Sequence, residues 1–146
     1  MRQQHRGKNG SPGLISAMSQ SSFYPHAPSQ VEFKQTHLSY VFLAGQYVYK
    51  VKKPVHFPFV DYSTLDGRLH FCREEVRLNR RLAPRVYLDV IPIIARGSQL
   101  TLGEGAEGGS DGEVVEYAVK MRRLPEAQML DYLLAKGSVQ REHIHA

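Results

Sequence analysis

A lysine in the middle of an apolar run and a glutamate in a later helical run are the residues best placed to do chemistry. Lys50 lies within Tyr-Val-Tyr-Lys-Val-Lys-Lys (47–53), and Glu75 lies within the stretch 65–83. A lysine ammonium is a compact point charge suited to a phosphate oxygen. A carboxylate beside it would fix where that charge points. The two residues matter together only if a strand carries the lysine and a helix carries the glutamate.

The helix is expected over 64–83, with Ser63 as N-cap and Asp66 as its capping-box partner. At about 100° per residue, Leu65, Leu69, Phe71, Cys72, Val76, Leu78, Leu82 and Ala83 share one half of the cylinder. Arg68, Glu75 and Asn79 interrupt that half. A carboxylate turned toward a core costs several kcal/mol unless a cation meets it, so Glu75 needs a partner while its neighbour Glu74 faces water. Two blander arrangements also satisfy Glu75: a bond to Asn79 one turn on, or a side chain that snorkels to the helix edge.

The strand is expected at 47–51, after Tyr40-Val-Phe-Leu-Ala44 and a two-residue turn, Gly45-Gln46. Alternation puts Val48, Lys50 and Lys52 on one face and Tyr47, Tyr49 and Val51 on the other. Lys50 is mid-strand, where either a solvated face or a buried pair suits it. Lys52 and Lys53 sit beside Pro54 at the strand end and are expected in solvent. A shorter strand precedes at 31–35, and a second hairpin is expected from 86–95 and 99–102. Gly-rich 103–112 is a connection, 114–121 another strand, and 126–136 a second helix closed by Gly137. The order implies an α+β domain: an antiparallel sheet of about five strands with one packed helix.

The chain has 146 residues, room for one domain or part of a larger one. Its formal charge is +5, of which Arg2, Arg6 and Lys8 supply three units, and the first 22 residues contain no acid. The remaining balance gives little support to a nucleic-acid partner. Cys72 is the only cysteine, which excludes an internal disulfide or a cysteine cluster for zinc and suits a cytoplasmic protein. The longest apolar runs are strand-sized, so no membrane span is expected. Residues 1–22 read as a basic, disordered tail before a domain at 23–146. A chain starting at Met18 is therefore expected to be as stable as the whole.

At 40–55, Glu-Glu-Val-Arg-Leu-Asn-Arg-Arg-Leu-Ala-Pro (74–84) and Glu-Tyr-Ala-Val-Lys-Met-Arg-Arg-Leu-Pro (116–125), the chain resembles the aminoglycoside phosphotransferase-like kinases. The group it resembles is bacterial and often carries a following P-loop ATPase domain. The resemblance covers roughly 23–146 and implies a kinase-like N-terminal lobe that binds ATP. It implies that Lys50 meets the α- and β-phosphates and that Glu75 orients it. Thr36, His37 and Ser39 would belong to the loop over the nucleotide, and Val48 to the base pocket. Met121, Arg122 and Leu124 would form the hinge beside adenine, with backbone groups of Arg122 and Leu124 bonding the base. The covering loop lacks the glycine-rich pattern of protein kinases, and Gly67 inside the helix is unusual.

Phosphoryl transfer also needs an aspartate near the acceptor and side chains that hold Mg²⁺. The family takes these from a later His-x-Asp loop, and no histidine here is followed two positions on by an acid. The expectation is an N-terminal piece of a longer protein, inactive alone, whose partners are ATP and a missing C-terminal lobe, with Mg²⁺ bound only in a complete protein. No metal ligands and no phosphate acceptor can be assigned within it. The alternative is a noncatalytic interaction or regulatory module that keeps the same fold.

Overall fold

The computed structural model describes residues 13–103, 112–125 and 127–129. The expected second helix falls mostly outside them, although 127–129 are helical, and the histidines near 143 lie outside altogether. The described part is α+β, built on an antiparallel sheet. Its strands are β1 (Val31–Gln35), β2 (Ser39–Ala44), β3 (Tyr47–Lys52), β6 (Tyr87–Arg96), β7 (Gln99–Leu102) and β8 (Glu113–Arg122). They lie in the order β1-β2-β3-β8-β6-β7, each pair antiparallel, giving six strands where about five were expected. Gly45, at φ 67°, supplies the left-handed residue of the tight turn between β2 and β3. Between Pro54 and the long helix, β4 (His56–Phe57) and β5 (Val60–Asp61) form a small hairpin.

Each face of the sheet has its own cover. Val41, Leu43, Val48, Val119 and Met121 turn toward the long helix α2 (Leu65–Arg80) and bury Cys72 and Val76. Phe42, Ala44, Tyr49, Val51 and Ala118 turn the other way, as period-two alternation requires. That second face is covered by α1 (Leu14–Met18) and by Tyr24. Leu14 and Met18 are buried, and the Tyr24 hydroxyl donates to the Met18 carbonyl at 2.5 Å. Residues 14–22 thus depart from the disordered tail that composition suggests. Two buried side chains, Leu14 and Met18, suffice because the sheet presents them a ready aromatic surface.

Helix α2 also differs in detail from the sequence reading. Thr64, not Ser63, is the N-cap: its hydroxyl accepts the Gly67 amide at 3.0 Å, while Ser63 bonds Asp61. Gly67 is inside the helix because a Cβ there would lie 3.0 Å from Thr64 Oγ1 and 3.1 Å from the Asp61 carbonyl. The helix stops at Arg80, so Leu82 is 87% exposed, and Leu78 is also exposed. The buried stripe is narrower than expected and runs through Arg68, Cys72, Glu75 and Val76.

Candidate functional site

Strand β3 carries Val48, Lys50 and Lys52 on the face that meets α2, and α2 presents Glu75 back to them. Lys50 Nζ donates to Glu75 Oε2 at 2.7 Å, and Lys52 Nζ donates to Glu75 Oε1, also at 2.7 Å. All three side chains are buried. Lys52 is the correction here: it was expected in solvent, yet the chain after Pro54 folds over it. The Lys53 amide bonds the Leu38 carbonyl, and the Tyr62 ring lies 5.1 Å below the Lys52 ammonium. Asn79 bonds the Glu75 backbone: its amide donates to the Glu75 carbonyl at 2.7 Å. Glu74 is on the surface with Arg77.

Burial by itself would push the Glu75 carboxyl up, but the ammonium groups of Lys50 and Lys52 overcome it and bring it down to about 2. Burial likewise pulls the Lys52 ammonium down, and the Glu75 carboxylate more than reverses that, leaving it above the ordinary lysine range. Glu75 and Lys52 are therefore both charged at neutral pH. The Cys72 thiol, packed next to them, is pushed up to about 11 by burial and stays protonated. It has the character of a core residue, not a nucleophile.

A second buried ion pair sits close by. Arg68 Nε donates to Glu116 Oε1 at 2.9 Å and its Nη1 donates to the Tyr62 carbonyl at 2.7 Å. Burial raises the Glu116 carboxyl even though Arg68 opposes the shift. Arg68 was visible in the sequence as a polar residue in the apolar half of α2. Its partner was not, because Glu116 lies 48 residues away with no local pattern to mark it.

The remaining expected site residues fall around this cluster unevenly. Ser39 is buried and is the cross-strand neighbour of Lys52, so it shares the face of the lysines. Thr36 is spent closing the turn: its hydroxyl accepts the Ser39 amide at 3.1 Å, and its own amide bonds the Ser39 carbonyl. His37 is exposed and stacks on Phe57, with ring centroids 5.2 Å apart. Val48 and Met121 are directly opposed across β3 and β8 and are fully buried. At the expected hinge, the Arg122 amide donates to the Val86 carbonyl at 2.8 Å, so that donor is not available to a base. The Leu124 amide points to Met129 Sδ at 3.4 Å. Among the described residues no three His, Cys, Asp or Glu side chains gather as metal ligands, and no helix is long and apolar enough to cross a membrane.

No protein-family model matches the chain. No solved structure matches it either. It is similar to three mycobacterial proteins, one from Mycobacterium bovis and two from Mycobacterium tuberculosis, each described as uncharacterized. Each is 31% identical over 107 residues, a match that takes in 73% of this chain and 19% of the relative. The chain thus spans less than a fifth of the length of these relatives.

Proposed function

We propose that this chain is the nucleotide-binding lobe of an ATP-dependent small-molecule phosphotransferase of the aminoglycoside phosphotransferase-like kinase type, inactive by itself. The observation that carries the reading is the buried contact between Lys50 on β3 and Glu75 on α2. Glu75 holds the Lys50 ammonium through a single carboxylate oxygen and so fixes its direction. That suits a charge meant to meet the α- and β-phosphates while keeping one orientation. Two residues back, Val48 and Met121 lie buried on the same face, and the half-buried Leu124 packed against them would be the apolar surface open to a purine. Lys52 takes the other oxygen of Glu75 and acts as a positioning residue, holding the carboxylate when Lys50 turns to a phosphate. Mg²⁺ and the acceptor would be handled by carboxylates of a complete protein.

One observation favours the noncatalytic module as a second reading. The hinge donors are engaged internally: Arg122 on Val86 and Leu124 on a methionine sulfur. Sulfur is a weak acceptor, so Leu124 can exchange it for an adenine nitrogen, whereas Arg122 would have to break a strand contact. Base recognition in the kinase reading therefore rests on Leu124 and on hinge carbonyls.

An acyl phosphate of ATP distinguishes the two readings. A lysine amine next to the bound phosphates attacks the acyl carbon, forms an amide and releases ATP. Mass spectrometry should find the acyl group on Lys50, and excess ATP should suppress it. Labelling confined to exposed lysines such as Lys34, unaffected by ATP, would leave the module.

A further inference from the structure

A groove of about 550 Å³ runs between the outer side of α2 and strands β6 and β8, and none of the residues of the Lys50–Glu75 cluster lines it. Its floor is apolar, made by Val76, Val90, Pro92 and the ring of Tyr117. Its wall is a stripe of Arg73, Arg77 and Arg80, spaced to share one face of the helix. The three arginines differ in how they are held. Arg80 is fixed by donating to the carbonyls of Tyr87 and Leu88, and no carboxylate among the described residues pairs with it. Arg77 is paired with Glu74. Arg73 is exposed, with no hydrogen bond or ion pair among the described residues. On the far wall Asp89 accepts the Val90 amide. Among the described residues, the positive side of the groove is thus in excess over its acids.

We propose that this groove is a docking site for an acidic peptide segment with a bulky apolar side chain, supplied by a partner polypeptide. The apolar side chain would cover Val90 and Tyr117, which are only half-buried. Acidic residues on either side would take the guanidinium groups, whose planar donor forks match carboxylates. A surface this small implies weak, salt-sensitive association. It stands independently of the nucleotide reading.

The test is to pan a displayed library of random short peptides on the 146-residue chain and to measure the selected peptides in solution. Expected is a consensus of Asp or Glu flanking Phe, Leu or Trp. Binding should weaken by about tenfold or more in Arg73→Glu, and further as salt rises. Arg73 is exposed, so that variant should keep its melting temperature; Val90→Asp, checked in the same way, should abolish binding through the floor. An absent or basic consensus would overturn the proposal, as would acidic peptides that bind Arg73→Glu and Val90→Asp as well as the unchanged chain. A single-stranded oligonucleotide displacing the peptides through the same arginines would overturn it too, since it would make the stripe a general polyanion site.

Discussion

Glu75 holds two ammonium groups at once, and this decides how the site answers to substitution. In Lys50→Ala the carboxylate keeps Lys52, so the fold should survive while nucleotide binding is lost. Glu75→Gln removes the carboxylate shared by two buried lysines and should destabilise the chain by about 3–5 kcal/mol, read in a denaturant titration. Glu74→Gln, on the surface, should leave both properties nearly unchanged. The pH dependence has a definite sign. The Glu75 carboxyl lies near 2 in the fold against an ordinary 4.5, so its contribution is present above about 4.5 and is lost as pH falls toward 2. In Glu75→Gln that part of the acid destabilisation should disappear. Lys50 and Glu75 were legible in the sequence because each is a charge set in an apolar pattern. Lys52 was not legible, since its burial depends on the β4–β5 segment and Tyr62 closing over the strand end.

At the scale of elements, the sheet hairpins follow from alternation and from Gly45, which local sequence can express. Helix α1 does not, because five residues without a side-chain cap give almost no periodic signal. It forms by packing Leu14 and Met18 onto the aromatic face of the sheet. A chain shortened to begin at Ser19 should therefore melt several degrees lower, against the expectation from composition, and Leu14→Ala should cost about 2–4 kcal/mol. Equal melting temperatures would show that α1 is not part of the core. Gly67→Ala tests the start of α2. Helix propensity alone favours alanine by about 1 kcal/mol, but the Asp61 carbonyl and the Thr64 hydroxyl leave its Cβ too little room. Thermal unfolding should show a loss of stability, not a gain.

On the scale of the whole molecule, α2 and α1 cover opposite faces of one antiparallel sheet, and the polar cluster lies only on the α2 side. The fold class was readable from the order of strand and helix patterns. The second cover and the Arg68–Glu116 pair were not, because both join residues far apart in sequence. The central claim is that the α2 side of the sheet holds ATP through Lys50. A backbone amide NMR titration of the 146-residue chain with ATP tests it directly, and tolerates the weak affinity expected of half a cleft. The account predicts saturable shifts at Val48–Lys52 and at Met121–Leu124, lost in Lys50→Ala and reduced when adenosine replaces ATP. Shifts absent from those segments, or unchanged in Lys50→Ala, would contradict it.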